Sequence, residues 1–461
     1  MSFSPELAEI RFGCGLSPAI AAPESAQEVF DRLVAPDHMA QQFPIERYEE
    51  FRERHKRFAR LNAQLRKSKS EADKQVFQDG MRAERKAARA ASSRWLGQSV
   101  LRWAQTDQGL RERLVLFWAD HFTAVGKAGI LKLANAPYVE EAIRPNISGR
   151  FADMLIGVVT HPLMLHYLDQ GNSVGPESPG AKSNKRLGGL NENLAREVLE
   201  LHTLGVGGPY SQKDVRQLAE LFTGMSQNPK QGFQFRKRWA EPGRETVLGK
   251  EYGGGQPSLE PILEALEDLA VHPVTARHLC WKLAVHFVAD TPDQGLIEHM
   301  TARYLQTGGA LTEVYAAMLE HPASWEEPLR NVKTPFAFVA SACRALQIDA
   351  NGLQELDVRR INGVFLGPLS VMGQAWLRPG GPNGWPEEDE AWITPQGLAA
   401  RMRWAVAAPP VLRRDLPDPR VFHQQVLGRF TTPELRFAAA SAETRAEAVG
   451  LVLMSPSFQR R

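Results

Sequence analysis

The sequence predicts a mainly α-helical protein: a large multi-helical body with a long charged helical arm and a short β-hairpin. Three observations predict this fold class. Apolar residues recur at helical spacing through most of the 461 residues. Helix start and stop signals, such as Thr-Pro pairs and terminal glycines, bracket several of these segments. Strand-like sequence is confined to a short stretch near Phe233–Leu248.

The composition excludes several classes of protein. With 43% hydrophobic and 23% charged residues, the chain has enough apolar material for a large core, so it is neither disordered nor fibrous. No run reaches the ~18 apolar residues of a membrane span, and the first residues show no leader, so we expect a cytoplasmic protein. Three cysteines are too few for a disulfide scaffold or a Cys-rich zinc site. The net charge of +2 indicates no particular partner.

Positive charge is concentrated in the predicted arm, residues 46–94. This segment holds 15 Lys and Arg against 8 Asp and Glu. Its apolar residues are widely spaced, which predicts a long helix or helical hairpin with a thin packed stripe. The arm could bind nucleic acid or another anionic surface, or it could be a solvated helical face whose basic side chains cover apolar neighbours. We favour the solvated face, because aromatic residues are sparse, and we do not expect nucleic-acid binding.

The rest of the chain is expected to fold with the arm into one domain, residues 1–461. Residues 170–189 are rich in Gly, Ser, Pro and Asn and predict a flexible loop. Residues 231–249 predict a hairpin insertion that pairs Gly232–Trp239 with Glu245–Gly249 across Ala240–Arg244. Thr-Pro pairs predict helices that begin at Pro335 and Pro395. Between these two helices, the Gly-, Pro- and Trp-rich segment Val364–Trp392 predicts a loop that lies over another part of the molecule.

A polar stripe marks the segment with the most chemistry. Asn191 as N-cap and Gly205 as terminal glycine predict a helix of about thirteen residues between them. At ~100° per residue, one face of this helix carries five polar side chains, namely Thr203, Arg196, Glu200, Asn193 and Glu197. Carboxylates this close could act as acid and base or bind a divalent metal ion. They could equally be a surface ion-pair ladder of Glu192, Arg196 and Glu200.

Two histidines point away from the polar faces of their helices. The same arithmetic places His202 between Val198 and Ala195, and His121 between Phe117 and Leu114. Each could be an ordinary core histidine that a backbone carbonyl satisfies. Because one core has to serve both helices, we predict that His121 and His202 are buried close together and could share a site. Asp120 lies on the polar side of its helix.

Familiar catalytic and nucleotide-binding motifs do not occur in the chain. Gly205–Gly208 follows no parallel strand and opens no helix, which excludes a dinucleotide-binding loop. There is no Gly-x-Ser-x-Gly elbow and no phosphate-binding Gly-Lys-Ser/Thr loop. Ser211 and Asp214 form a capping-box pattern, so Asp214 is expected to be structural.

Several segments together resemble one bacterial family, catalogued as domain of unknown function 1800 (DUF1800). The segments are Arg11–Gly15, Leu116–Thr123, Asn191–Gly205, Lys333–Phe336 and Gly381–Pro386. The resemblance spans nearly the whole chain, and the Asn-Glu-Asn helix is its most specific motif. It implies no established activity. Members are often encoded beside sulfatase-like proteins, which implies a possible partner of that kind.

Residue by residue, the family pattern falls on eight positions, namely His121, Asn191, Glu192, Asn193, Arg196, Glu197, Glu200 and His202. One position departs from it. Where the family pattern leads us to expect a histidine before Asp/Glu-Pro-Gly, this chain has Ala240, so any role of that histidine is missing or has moved.

Two functions stay open at this point. The first is an enzyme whose cleft lies between the Asn191 helix, the His121 helix and the loop that carries Trp376, Trp385 and Trp392. In this interpretation Glu192, Glu197 and Glu200 act with the two histidines, Arg196 holds an anionic group, and Asn191, Asn193 and Trp385 contact the substrate, a glycan or an ester that is hydrolysed. The second function is a non-catalytic assembly or binding protein that holds a partner with the basic arm.

Overall fold

The structure is a computed structural model that describes residues 3–184, 189–354 and 356–461. It is mainly helical, with two small two-stranded sheets among the described residues, which confirms the predicted fold class. None of its described helices combines the length and the apolar character needed to cross a membrane.

The helices are short on average and follow one another closely. The N-terminal half contains α1 (Pro5–Arg11), α2 (Ala26–Val34), α3 (His38–Gln42), α4 (Tyr48–Lys67), α5 (Glu71–Gln105), α6 (Gly109–His121), α7 (Asn135–Tyr138), α8 (Phe151–Val159), α9 (Pro162–Tyr167), α10 (Pro179–Ser183), α11 (Asn193–Glu197) and α12 (Gln212–Leu221). Two of these helices continue as π-helix, α7 over Val139–Ile143 and α11 over Val198–Thr203.

The C-terminal half is built in the same way. It contains α13 (Glu260–Ala270), α14 (Pro273–Phe287), α15 (Gln294–Gln306), α16 (Leu311–Glu320), α17 (Pro335–Ala345), α18 (Ala350–Gln354), α19 (Val358–Ile361), α20 (Gly367–Val371), α21 (Pro395–Ala407), α22 (Pro409–Leu412), α23 (Pro419–Leu427), α24 (Pro433–Ser441), α25 (Arg445–Met454) and α26 (Pro456–Gln459). A third π-helical segment, Asn362–Leu366, joins α19 to α20.

Capping residues explain where many helices begin. The helices predicted at Pro335 and Pro395 start there, and the hydroxyl groups of Thr334 and Thr394 accept hydrogen bonds from the first turns. Proline fits the first turn of a helix because its missing N–H would have no partner there. The predicted capping box of Ser211 and Asp214 is also confirmed, at the start of α12.

One hydrophobic core includes residues from both ends of the chain, from Leu7 to Phe458. A buried ion pair between Glu9 of α1 and Arg344 of α17 joins the N-terminal helix to the C-terminal half, with 2.9 Å between Oε1 and Nη2. Arg344 also donates to the backbone carbonyls of Gly15 and Thr106. The segment after α1 is therefore fixed between α5 and α17.

The predicted arm, residues 46–94, corresponds to α4 and the first two-thirds of α5, which pack against each other as a helical hairpin. Its distal part is mostly exposed, and Val76 is 65% exposed. Arg57 and Glu84 form an ion pair that joins the two helices. The thin packed stripe is present in Phe51, Phe58 and Met81, which are buried.

The predicted strand pairing within residues 231–249 is wrong. Instead, β1 (Met225–Asn228) pairs with β2 (Gly232–Phe235), and β3 (Arg244–Val247) pairs with β4 (Lys250–Gly253), both antiparallel. In the second hairpin the two-residue turn Leu248–Gly249 has positive φ at both residues, 50° and 82°. Tight hairpin turns require this backbone conformation. Leu-Gly is not a typical sequence for such a turn, so the pairing could not be read from the sequence.

Part of the segment predicted as a flexible loop, residues 170–189, contains short helices. Gln170–Asn172 is a 3-10 turn and Pro179–Ser183 forms α10. The N–H groups of Gly175 and Gly180 donate to backbone carbonyls of the segment between the two hairpins. Residues 185–188 of the predicted loop lie outside the described residues.

Candidate active site

The predicted carboxylate stripe lies on a partly exposed helix face. Glu192 and Arg196 form an i, i+4 ion pair of 3.3 Å, in which about a third of each side chain is exposed. Gln212 of α12 joins the pair by donating to Glu192 and accepting from Arg196. Such exposed pairs stabilise a helix by only ~0.3–0.5 kcal/mol. Glu192 and Arg196 are thus partners of each other and of α12.

Glu197 and Glu200 stand close enough to interact. Partial burial and the charge of Glu200 raise the pKa of Glu197. Partial burial raises the pKa of the Tyr210 phenol, and a hydrogen bond with Glu200 raises it further. Neither carboxylate lines the tryptophan-lined cleft described below.

The two asparagines of this motif have different surroundings. The side-chain oxygen of Asn191 accepts from the N–H of Asn193, and its amide group donates to the carbonyl of Leu168. Helix α11 begins at Asn193, and the side chain that caps its start is that of Asn191, as predicted, whereas Glu192 makes no capping hydrogen bond. Asn193 itself is exposed.

The second half of this helix departs from α-helical geometry. Val198–Thr203 is π-helical, and the hydroxyl of Thr203 donates to the carbonyl of Val198 five residues earlier. A wider turn changes the rotation per residue, so the ~100° arithmetic fails beyond Glu197. Thr203, predicted on the polar face, is fully buried.

His121 and His202 are both buried, with ring centroids 6.1 Å apart, which confirms that they lie close together. His121 Nε2 lies 3.3 Å from the backbone oxygen of His202, and Nδ1 lies 3.2 Å from Nζ of Lys282 on α14. Burial and the charge of Lys282 hold the pKa of His121 well below its ordinary value. His121 is therefore neutral, donates from Nε2 and accepts the Lys282 ammonium at Nδ1.

A cleft with a cavity volume of about 80 Å³ opens beside Asp120 and His286. Helices α6, α7, α14 and α17 form its walls, and residues 374–387, named here the cover loop, close one side. The aromatic lining includes Trp103, Phe336, Trp376 and Trp385. The predicted cleft thus shares two of its three elements with this one, the His121 helix and the tryptophan loop. Residues of the Asn191 helix are not part of the wall.

His286 and Glu387 form a pair in this cleft. His286 Nδ1 lies 3.0 and 2.9 Å from the two carboxylate oxygens of Glu387. Burial lowers the pKa of His286 to about 4. Burial opposes ionisation of Glu387, but His286, Arg461 and Lys282 outweigh it and lower the pKa of Glu387 to about 2.

These two pKa values determine the tautomer of His286 at neutral pH. An ionised Glu387 can only accept, so the neutral ring donates from Nδ1 and carries its lone pair on Nε2. Among the described residues, no hydrogen bond engages Nε2. His286 is thus an oriented neutral imidazole whose second nitrogen can accept a proton.

Asp120 supplies a second titratable group to the same cleft. Both of its carboxylate oxygens accept from the N–H of Trp385, at 3.0 and 3.1 Å. Burial and the charge of Glu387 raise the pKa of Asp120 to about 7. Glu387 follows Trp385 by two residues, so the Cα atoms of the two cover-loop residues that contact His286 and Asp120 are at most ~7 Å apart.

The glycine before Trp385 makes this contact possible. Gly384 has φ +76°, and a Cβ atom there would stand 2.5 Å from an Asp120 carboxylate oxygen. Any other residue at this position would collide with Asp120 and would adopt a backbone conformation that side chains disfavour. Gly384 therefore lets the cover loop lie directly on the end of α6.

The cleft wall also contains polar atoms that lack partners. Among the described residues, Trp376 Nε1, Asn135 Oδ1, Arg113 Nε and Nη2, and Arg461 Nε are buried with no hydrogen-bond partner. All four residues line the cleft. Buried polar atoms are nearly always satisfied in native proteins, so this concentration indicates a place where a polar ligand or water is held.

The predicted metal-binding stripe holds two neighbouring carboxylates, Glu197 and Glu200. Within residues 3–184, 189–354 and 356–461, no group of three or more His, Cys, Asp or Glu side chains is arranged to hold a metal ion. Ala240, the position that departs from the family pattern, is buried beside Gly224 and does not line the cleft.

Sequence reasoning places Trp385 in the cleft and misses the groups around it. Asp120 lies on the polar side of α6, where the sequence gives it no partner, yet the cover loop encloses that side. His286 and Glu387 are 101 residues apart and share no local spacing. The sequence contains one signal for this contact. Gly384 precedes Trp385 in a loop that is predicted to lie over another part of the molecule, and glycine is the residue expected where the backbone approaches another chain segment closely.

Comparisons with known proteins leave the chemistry open. A family model described as "Protein of unknown function (DUF1800)" matches residues 8–460, nearly the whole chain. No curated protein and no solved structure matches the chain.

Proposed function

The chain belongs to the DUF1800 family of proteins of unknown function, and from that premise we propose that its cleft is the active site of a hydrolase. The observation that supports this proposal is a pair of carboxyl groups with opposed pKa shifts at one short loop, Asp120 against its backbone and Glu387 within it. Asp120 has its pKa raised to about 7, whereas Glu387, which holds His286, has its pKa lowered to about 2. Environments that separate the pKa values of neighbouring groups are typical of acid and base pairs.

In the proposed reaction His286 acts as the base. A water molecule held at Nε2 gives up a proton to the ring while its oxygen attacks the substrate. The imidazolium that forms lies against the ionised carboxylate of Glu387, which stabilises the new charge. Because both oxygens of Glu387 are within 3.0 Å of Nδ1, the carboxylate also keeps the ring oriented.

Asp120 acts as the acid. With a pKa of about 7, a substantial fraction of Asp120 is protonated near neutral pH and can give its proton to the leaving oxygen as the C–O bond breaks. A substrate with an alcohol leaving group, an ester or a glycoside, fits this division of roles. The tryptophans of the cleft wall offer flat apolar faces of the kind that sugar rings contact.

The experiment compares good and poor leaving groups. Purified protein is assayed on paired p-nitrophenyl and alkyl esters and glycosides, with His286→Gln, Glu387→Gln and Asp120→Asn variants. His286→Gln and Glu387→Gln should lower kcat about 10²–10⁴-fold on all substrates. Asp120→Asn should slow alkyl substrates far more than p-nitrophenyl substrates, because p-nitrophenolate leaves without a proton.

Glu388→Gln is the matched control, because Glu388 is exposed and adjacent to Glu387 in the chain. It should have wild-type kcat and KM. Absence of hydrolysis across the panel, or equal losses in Glu388→Gln and Glu387→Gln, would contradict the proposal.

A second candidate function is partner binding by the arm. A groove between α4 and the β1–β2 turn is lined by four basic residues, Lys56, Arg57, Arg60 and Lys230, and by one acidic residue, Glu53. These basic side chains favour an acidic surface, and the family resemblance suggests a sulfatase-like protein as the partner. Reversing charge with Arg60→Glu and Lys230→Glu should then abolish binding to such a protein in calorimetry while leaving hydrolysis unchanged. Unchanged binding would exclude the groove.

A further inference from the structure

Buried cations gather at one end of the cleft. Arg113 of α6 and Arg461 line the cleft wall and are 2% and 4% exposed, and Lys333 lies near them at 4%. Among the described residues, no Asp or Glu carboxylate lies within 4.0 Å of these three side chains, although the charges of Glu387 and Asp389 reach Arg461. Buried cations are normally paired with anions.

The hydrogen bonds of these cations do not supply the missing negative charge. Arg113 Nη1 donates to the backbone oxygens of Arg11 and Gly13, at 2.9 and 3.3 Å. Lys333 Nζ lies 4.1 Å from the ring centroid of Phe458. The carbonyls and the ring are neutral acceptors, so these contacts add no negative charge to that of Glu387 and Asp389.

The charge of Arg461 also disfavours the charges of Lys333 and Arg113. Burial and the charges of Arg113 and Arg461 lower the pKa of Lys333 to about 7. Burial and the charge of Arg461 lower the pKa of Arg113 well below its ordinary value. A bound anion would reverse this mutual repulsion.

We propose that this end of the cleft binds an oxyanion carried by the substrate, in the form of a sulfate, phosphate or carboxylate group. Arg461 and Arg113 are the binding residues, because they line the cleft and because their unpartnered Nε and Nη2 atoms are donors for which the described residues provide no acceptor. Guanidinium groups suit this role, since their fork of N–H donors matches oxyanions. The inference rests on the proposed hydrolase, and it adds that the substrate is negatively charged.

The position of the cluster relates the anion to the bond that is cleaved. Arg461 acts electrostatically on Glu387, the partner of His286. The oxyanion would therefore sit beside the His286–Glu387 pair and the scissile bond would face Nε2. The substrate's anion thus serves as an anchor that is not itself attacked.

Calorimetry with the purified full chain tests the site without any substrate. Sodium phosphate, sodium sulfate and sodium acetate are titrated at constant ionic strength, with sodium chloride as the reference. At least one oxyanion should bind with one-to-one stoichiometry, and the order of affinities distinguishes tetrahedral anions from carboxylates. Loss of one charge-assisted hydrogen bond corresponds to about a tenfold or greater change in affinity, so Arg461→Met should weaken binding at least about tenfold.

Arg460→Met is the matched control. Arg460 is adjacent in the chain, its side chain is 45% exposed, and its guanidinium donates to the carbonyl of Arg330. Both substitutions leave the backbone contacts of residues 460 and 461 with Val332 and Asn331 in place. Arg460→Met should bind the oxyanion as the wild type does. Binding that is absent from the wild type, or equal in Arg461→Met and wild type, overturns the proposal.

His286→Gln separates this inference from the proposed function. The variant lacks the base but keeps the cations, so it should bind the oxyanion with wild-type affinity while hydrolysis is lost. Oxyanion binding together with no hydrolysis by the wild type would support the anion site and contradict the hydrolase. Hydrolysis of uncharged substrates together with no oxyanion binding would support the hydrolase and contradict the anion site.

Discussion

Asp120 accepts from Trp385 in a setting that favours its protonated form. Burial and the nearby charge of Glu387 both oppose its ionisation, and the hydrogen bond from Trp385 and the charge of Lys282 only partly offset them. The residue can therefore hold a proton at pH values where ordinary aspartates have lost theirs. This has a measurable consequence for stability that does not depend on any substrate.

Asp120→Asn should stabilise the protein at pH 8. The ordinary pKa of an aspartate is 3.8, and that of Asp120 in the folded protein is about 7. A carboxyl group whose pKa is raised by folding contributes its full stabilisation below the pKa that it has in the unfolded chain. This stabilisation is lost as the pH rises through the pKa that it has in the folded protein. Ionised Asp120 therefore destabilises the fold above pH 7. Asparagine stays neutral and keeps an oxygen for the Trp385 N–H. We expect a gain of roughly 1–3 kcal/mol at pH 8, measured by urea denaturation.

The same variant should show only a small gain near pH 4, close to the ordinary aspartate pKa of 3.8, because little stability has been lost by then from the difference in bound protons between the folded and unfolded states. Asp107→Asn, at an exposed position, is the control and should be neutral at both pH values. A loss of stability in Asp120→Asn that is the same at pH 4 and pH 8 would argue against the raised pKa.

Gly384→Ala should destabilise the protein and inactivate the proposed site. The added Cβ would stand 2.5 Å from the Asp120 carboxylate, at a residue with φ +76°. Such backbone strain and overlap cost about 1–3 kcal/mol. Gly380→Ala is the control in the same loop, because a Cβ there meets no atom within 4 Å. Equal thermal unfolding curves for the two variants would refute the tight approach.

At the scale of elements, the arm differs from the helices of the body. Between residues 60 and 80 most side chains are exposed or half-buried, whereas most of the residues of α6 are buried. A segment with few buried contacts opens at a smaller free-energy cost than the core. Amide hydrogen exchange should accordingly be fastest in this part of α4 and α5 and slowest in α6 and α17. Equal protection in the arm and α6 would contradict this prediction.

The sequence predicts that helices form in these segments, but it does not predict where a helix departs from regular α-helical geometry. The inward direction of His121 follows from regular α-helical rotation, and α6 keeps this rotation to its end. The direction of Thr203 could not be predicted, because the helix changes to π-helical geometry before this residue and no residue pattern indicates that change. The predicted hairpin failed for a similar reason, since the turn at Leu248–Gly249 depends on two backbone angles and only one of the residues is glycine.

At the scale of the whole molecule, buried histidines should make the protein sensitive to acid. Burial lowers the pKa to about 4 for His55, His278 and His286 and to about 3 for His202. Between pH 6.5 and pH 4 the unfolded chain therefore binds protons that the folded chain does not. Stability is lost as pH falls through this range. Thermal unfolding between pH 8 and pH 4 should show Tm falling steeply below pH 6.5.

Single histidine variants test which groups contribute. His278→Gln should reduce the dependence of Tm on pH between 6.5 and 4. His299→Gln should leave it unchanged, because the His299 side chain is 40% exposed and stays in contact with solvent in the folded protein. A protein whose Tm is constant over this range would contradict the prediction.

Only some residues of the candidate site could be predicted from the sequence. Trp385 was predictable because it lies in a distinctive loop, and its role in holding Asp120 through the backbone N–H has no side-chain signature. Glu387 and Lys282 are ordinary charged residues in sequence. Only the fold brings Glu387 beside His286, and the charge of Lys282 then acts on Glu387 as well.

The contact between Asp120 and Trp385 joins residues 265 positions apart. Contacts across so long a loop form slowly, because closing the loop costs conformational entropy before any contact contributes favourable free energy. The cleft should therefore be among the last parts of the molecule to assemble during refolding. A stopped-flow experiment should detect helix formation by circular dichroism well before the tryptophan fluorescence of the cover loop reaches its native value.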